Sequence, residues 1–244
     1  ISPMVGKDAF QEADVYGLSM PVVKHSYLVK NANDIPRIVK EAFHITSTGR
    51  PGPVLIDIPK DISAAPCAAS LDAKMDLPGY HPKISLDVKS VEVIAEAMNK
   101  ARRPVILAGH GAIISGASAA VRALAEKLNA PVTTTLLGKG VFPERHPLSL
   151  GMVGMHGTAY ANKALMECDL IISIGARYDD RIIGHAPSFC KNAVRIHIDI
   201  DEAEINKMIR VHHYCVGDAR EIVEELIKHV HRADTSAWIS QLNM

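Results

Sequence analysis

The sequence predicts an α/β fold: a doubly wound, mostly parallel sheet of the six-stranded type, preceded by the C-terminal part of another α/β domain. Three observations carry this. From Asp87 onward, short apolar runs of strand length alternate with longer stretches whose apolar residues recur every three or four positions. The short runs are apolar throughout, as in parallel strands covered by helices on both faces. Glycine follows several of them at once, at Gly109, Gly175 and Gly217.

The elements follow in order. Residues 21–29, PVVKHSYLV, form a short strand entered from a proline. Residues 33–46 form a helix, with Ile35, Ile38, Val39, Ala42 and Phe43 at helical spacing, Asn33 or Asp34 as N-cap and Pro36 in the first turn. TGRPGP ends it, and 54–58 is an apolar run suited to a buried strand. Residues 65–83 hold several prolines and no period, so they read as a linker. Beyond it come a helix at 87–101 with Val88, Val91, Ile94, Ala95 and Met98 inward, a strand at 104–108 and a helix at 117–128. Strands at 131–135, 170–174, 194–198 and 211–216 follow, with helices at 158–167 and 218–230. The resulting organisation is 1–64 as the end of a first domain, 65–83 as linker, 84–231 as the central domain and 232–244 as a tail, in which Trp238 has no evident place.

The 244 residues are 48% hydrophobic with 27 basic and 27 acidic side chains, and zero net charge argues against nucleic-acid or anionic-membrane partners. No apolar run reaches the roughly 18 residues of a membrane span. Cys67, Cys168, Cys190 and Cys215 form no CxxC and read as reduced thiols of a cytoplasmic protein. The chain opens Ile1-Ser2-Pro3 without Met, which reads as the interior of something longer.

In such a sheet, ligands lie outside the carboxyl ends of the strands. After 104–108 comes GHGA, either a tight strand-to-helix turn or a place where backbone approaches a phosphate. Its third fingerprint glycine would fall at Ile114, and Thr133–Thr135 replaces the expected acid, so an ordinary NAD-binding domain is disfavoured. Gly138-Lys139 lacks the rest of a P-loop. Met155 is core filler or the soft wall of a pocket, and His156 a ligand contact or a structural histidine. The run 170–174 is followed by Gly175, Arg177, Asp179, Asp180 and Arg181, two cations and two anions in five positions. These are a solvated salt-bridged loop or an anion site, since arginine forks suit phosphate oxygens. Asp199 stands at a strand end where it could accept from ribose hydroxyls. Asp218 is a ligand contact or an N-cap, while Glu202 and Glu204 favour a helix start. The adjacent His212 and His213 diverge on a strand and make a poor metal site.

GKDAFQE, KHSYLV, TGRPGPVLIDIPKD, GMVGMHG and IGARYDDR together resemble the catalytic large subunit of acetohydroxyacid (acetolactate) synthase, a thiamine-diphosphate enzyme family of branched-chain amino-acid synthesis. The resemblance runs from about Val5 to about His231. It implies a transferase that decarboxylates pyruvate and condenses the hydroxyethyl unit with a second 2-keto acid, pyruvate or 2-ketobutyrate. It also implies FAD in the central domain, with thiamine diphosphate and magnesium elsewhere in the full-length enzyme, whose Gly-Asp-Gly…Asn-Asn motif does not occur here.

Carried over by position, Arg50 reaches FAD from the first domain. Gly109, His110 and Gly111 lie against its diphosphate and ribityl region, Thr135 and Leu136 beside the flavin, and Met155 and His156 against it. Gly175, Arg177, Asp179, Arg181 and Ile182 hold the adenosine-diphosphate half, Asp199 and Ile200 the adenosine ribose and adenine, and Asp218 and Ala219 flank the adenine. Phe10, Lys60, Met155 and Asp180 resemble the substrate channel. No catalytic and no metal-binding residue is expected in this chain, which by resemblance is a fragment, inactive alone, of a homo-oligomer that can take a regulatory small subunit. Two positions depart from the family: Tyr178 often stands as Phe, and His110 as a smaller residue, so that its backbone rather than its ring is expected to matter.

Overall fold

The structure is a computed structural model that describes residues 2–10 and 12–242. It comprises two compact units, Ile1–Lys83 and Ile84–Met244.

The first unit holds the parallel pair β1 (His25–Leu28) and β2 (Val54–Asp57), joined by α2 (Ile35–Ser47) and flanked by the short helices α1 (Val15–Ser19) and α3 (Lys60–Ala64). Helix α2 buries Ile38, Ala42 and Ile45, whereas Phe43 is exposed. Strand β2 is half-buried rather than buried, in a sheet of only two strands among the described residues. The helix also buries Glu41, which a carboxylate tolerates only with partners. It has them: Arg37 Nη1 at 3.0 Å, the Tyr27 hydroxyl at 3.1 Å and the Asp76 amide at 2.7 Å. Burial first, and Glu41 second, push the Tyr27 hydroxyl up to about 12. Lys24 Nζ donates to the carbonyls of Ile45 and Thr48 and to the Tyr80 hydroxyl, closing the C-terminus of α2 before the TGRPGP turn.

The second unit is a six-stranded parallel sheet among the described residues. Its strands are β3 (Pro104–Ala108), β4 (Val132–Thr134), β5 (Ser149–Met152), β6 (Leu170–Ile174), β7 (Val194–Asp199) and β8 (His213–Val216). Their spatial order is β5-β4-β3-β6-β7-β8. The helices are α4 (Val88–Lys100), α5 (His110–Ile114), α6 (Ser118–Leu128), α7 (Ala159–Glu167), α8 (Asp180–Ile183), α9 (Ala219–His229) and α10 (Ser236–Gln241). Counted within the unit the order is 3-2-1-4-5-6, the order of dinucleotide-binding sheets, with the switch point between β3 and β6.

Both faces are covered. Ile106, Ile172, Ile174, Ile196 and Ile198 pack on one side with Val91, Ile94 and Met98 of α4, Val121 and Leu124 of α6, and Ile222 and Leu226 of α9. Val105, Leu107 and Ile171 pack on the other with Ala161 and Leu165 of α7. This is the physical reason β3 is apolar throughout and β6 is apolar but for Ser173.

Three local expectations change. Val88 is exposed, because the helix begins there and Asp87 caps it through the Ser90 amide. Strand β5 adds a sixth strand where no apolar run marks one. Trp238, which the sequence leaves without a place, lies buried on the second face, its Nε1 donating to the Pro104 carbonyl at 3.2 Å.

Candidate functional site at the carboxyl edge of the sheet

The loops after all six strands of the second unit carry the predicted residues, and contacts join them. Gly175 turns with φ +57°, a left-handed conformation suited to glycine, and a Cβ there would stand 2.5 Å from the Ala112 nitrogen. A Cβ on Gly109 would stand 2.3 Å from the Gly175 oxygen, and one on Gly111 2.8 Å from the Gly175 Cα. The turns after β3 and β6 therefore interlock. Gly109 N donates to the Ile174 carbonyl and Gly111 N to the Gly175 carbonyl. Both of those amides are bonded to protein carbonyls, as in a tight strand-to-helix turn.

The turn after β4 leans on the same place. A Cβ on Gly138 would stand 2.4 Å from the Ala108 oxygen, which explains the Gly-Lys pair without a P-loop. Thr135 Oγ1 accepts from the Gly138 amide, and Leu136 and Leu137 project outward, exposed. The His110 ring bonds through Nδ1 to the Leu137 carbonyl at 3.0 Å. The ring thereby links the turns after β3 and β4.

The segment after β6 alternates. Ala176 and Tyr178 are buried, Arg177 is exposed, and Asp179 is half-buried. The Tyr178 hydroxyl donates to the Ile196 carbonyl at 3.0 Å, so the extra oxygen relative to Phe is accommodated inside. Asp179 Oδ1 caps α8 through the Arg181 amide, and its Oδ2 lies 3.5 Å from Arg177 Nη2. Arg181 Nε and Asp180 Oδ2 are 3.8 Å apart, both well exposed. Met155 N donates to the Arg181 carbonyl at 3.2 Å, and a Cβ on Gly154 would stand 2.6 Å from that same oxygen. This brings the exposed Met155 and His156 beside Asp180, Arg181 and Ile182.

Asp199, buried at the end of β7, accepts from the Asp201 amide at 3.0 Å, and the half-buried Ile200 follows it. The Asp199 carbonyl accepts from Gly217 N at 2.9 Å. Asp218 is the N-cap of α9, accepting from the Arg220 and Glu221 amides, and Ala219 opens that helix. Phe10, Arg50 and Lys60 are exposed residues of the first unit.

Sequence reasoning missed two residues. Ser173 and His197 are buried polar positions within apolar strands, and both donate to the Ala176 carbonyl, at 2.7 and 3.0 Å. A polar residue inside a doubly covered strand was the available signal.

A model of the family described as thiamine pyrophosphate enzyme, central domain, matches residues 91–226, more than half of the chain. The chain belongs to that family. It is 49% identical over 227 residues to the probable acetolactate synthase large subunit of Methanocaldococcus jannaschii, covering 92% of this chain and 38% of that protein. To the acetolactate synthase large subunit of Corynebacterium glutamicum it is 46% identical over 246 residues, covering 99% of this chain and 39% of that one. The chain thus spans about two fifths of these relatives. Among solved structures it resembles a Mycobacterium smegmatis protein provisionally assigned as a thiamin diphosphate-dependent enzyme. The TM-score is 0.75 at 26% identity, over 91% of this chain and 42% of that one. No helix among the described residues is long and apolar enough to cross a membrane.

The core beneath these loops holds groups that prefer to stay neutral. Cys168 and Cys190 both donate to the Leu165 carbonyl. The hydrogen bond with Cys168 and burial raise the Cys190 thiol, burial raises the Cys215 thiol to about 11, and burial raises the Tyr178 hydroxyl well above its ordinary value. The native state therefore binds more protons than the unfolded chain once pH passes the ordinary thiol range, so stability falls as pH rises. The fall starts near pH 8.5 to 9 and steepens above about 10, each group adding up to about 1.4 kcal/mol per pH unit. Urea unfolding from pH 7 to 10.5 should show this, with a shallower slope for Cys215→Ala above about pH 9. A stability unchanged up to pH 10.5 would contradict the buried, protonated core.

Proposed function

We propose that the second unit holds FAD along the carboxyl edge of its sheet and serves as the central domain of an acetolactate synthase. The observation that carries this is the interlock of Gly109, Gly111 and Gly175 at the switch point of a 3-2-1-4-5-6 sheet, with Arg177 emerging next to it. Similarity to acetolactate synthases along nearly the whole chain supports the choice of enzyme.

The residues present fit FAD. Absent side chains at the three glycines let a ligand backbone come close. Arg177 and Arg181 offer planar donor forks for a diphosphate, and Asp179 Oδ2 lies 3.5 Å from Arg177 Nη2. Leu136, Leu137 and Met155 offer exposed apolar surface for an isoalloxazine. Asp199 offers an acceptor for a ribose hydroxyl. Within the second unit, Met155 and Asp180 belong to the substrate channel in this reading. In this reading FAD has a structural role in the main reaction. Thiamine diphosphate supplies the chemistry by which pyruvate is decarboxylated and its two-carbon unit joined to pyruvate or 2-ketobutyrate. Among the described residues no group of three or more His, Cys, Asp or Glu side chains could hold a metal ion, so no step through magnesium is assigned to this chain. The setting we propose is a cytoplasmic homo-oligomer, with or without a regulatory subunit.

Flavin fluorescence titration tests the reading. FAD should bind the chain with micromolar or weaker affinity, and more tightly than ADP because of the apolar surface. Arg177→Ala should weaken FAD binding by about tenfold, the effect of losing one charge-assisted contact of about 1.4 kcal/mol. Equal affinities for ADP and FAD would instead favour a thiamine enzyme whose central domain takes ADP, and submicromolar affinity would remove the case for further FAD contacts outside this chain. Supplied with pyruvate, thiamine diphosphate, magnesium and FAD, the 244-residue chain should make no acetolactate; measurable product would refute its role as one part of the catalyst.

A further inference from the structure

The site described so far makes no use of His197, a buried imidazole in the middle of an apolar strand. Its surroundings are specific. The register of β6 and β7 sets Ser173 beside His197, both on the second face of the sheet. Past the end of β6 the chain reverses at Gly175, whose amide donates to the Ile198 carbonyl and whose carbonyl accepts from Gly111. That reversal turns the next carbonyl, Ala176, back toward the sheet. There it accepts from Ser173 Oγ at 2.7 Å and from His197 Nε2 at 3.0 Å.

A carbonyl only accepts, so the imidazole carries its proton on Nε2. Nδ1 is left buried without a partner among the described residues. An aliphatic side chain would fill this apolar site without stranding a nitrogen. What the imidazole adds is a donor at one point. That donor also lies 3.7 Å from Asp199 Oδ2, two residues along the same strand. The Tyr178 ring meets the His197 ring edge to face at 5.0 Å between centroids, which holds the imidazole in its plane.

We propose that Ser173 and His197 are positioning residues for the dinucleotide diphosphate, clamping the Ala176 carbonyl so that Arg177 is presented from a fixed backbone. The proposal rests on the reading of Arg177 as an FAD contact, and it adds that this contact is pre-organised from inside the sheet by residues that never touch the ligand. Holding the arginine's backbone in place before binding lowers the ordering cost of binding.

The test uses the 244-residue chain in the forms Ser173→Ala, His197→Phe, which keeps the ring volume, and His197→Gln, which keeps an N–H donor. Two readouts are needed. The first is FAD affinity, with and without Arg177→Ala. The clamp predicts fivefold or greater weakening for Ser173→Ala and His197→Phe, partial recovery in His197→Gln, and almost no further effect of any of these once Arg177 is already Ala. A residue serving stability alone would weaken binding equally in both backgrounds. The second is limited trypsinolysis without ligand, comparing cleavage after Arg177 with cleavage after Arg122 on α6. Loss of the clamp should raise the first at least tenfold relative to the second. If FAD binds neither the native chain nor the variants but cleavage after Arg177 rises selectively, the clamp stands and the FAD reading fails. If cleavage after Arg177 does not rise selectively, or if the affinity losses persist unchanged in the Arg177→Ala background, the proposal is overturned.

Discussion

At the carboxyl ends of β3 and β6, two turns pass so close that no Cβ fits between them. Gly109 and Gly111 on one side and Gly175 on the other share two backbone hydrogen bonds across the junction, Gly109 N to Ile174 O and Gly111 N to Gly175 O. The other loops take their positions from this contact. Gly138 packs on the Ala108 carbonyl, the His110 ring holds Leu137, and the reversal at Gly175 sends the chain out through Arg177 and back in at Tyr178. Farther along, the Arg181 carbonyl receives Met155. The segment from Gly175 through α8 thus links the turns after β3 and β5, and through the Gly175 amide and the Ala176 carbonyl it is bonded to β7.

The constraint matters because of where it lies. In a 3-2-1-4-5-6 sheet the loops on either side of the switch point run in opposite directions and leave a crevice at the strand ends. Here the floor of that crevice is backbone, locked by hydrogen bonds. Arg177, Leu136, Met155 and Asp199 stand on or beside these hydrogen-bonded turns. Such a site offers rigid geometry at low cost in ordering. In the proposed reading, the arginines would meet the diphosphate of FAD, the Asp199 carboxylate its ribose and the apolar surface its flavin.

Much of this was legible in the residues because burial on both faces writes itself as unbroken apolar runs. Strands β3 and β6 match their runs residue for residue, and the second-unit helices follow their periodicity. What escaped had weaker or misleading marks. SLGM carries a glycine with positive φ and sits at the sheet edge, so β5 has no apolar run. Helix α10 is too short to show a period, and the place of Trp238 depends on a carbonyl 134 residues earlier. The site was legible as a set of loops but not as a mechanism of support. Ser173 and His197 are polar positions inside mainly apolar strands, and the register of β6 on β7 shows that they converge on one carbonyl. The four charges of the RYDDR segment were likewise visible, but which face outward follows from the alternation that buries Ala176 and Tyr178.

The most direct test is a crystal structure of the chain grown with FAD. The account predicts the FAD diphosphate over the junction of the Gly109–Gly111 and Gly175 turns, within hydrogen-bond distance of Arg177, with the Ala176 carbonyl still held by Ser173 and His197. A dinucleotide bound at the opposite, amino-terminal edge of the sheet, or one whose diphosphate avoids Arg177 altogether, would contradict it.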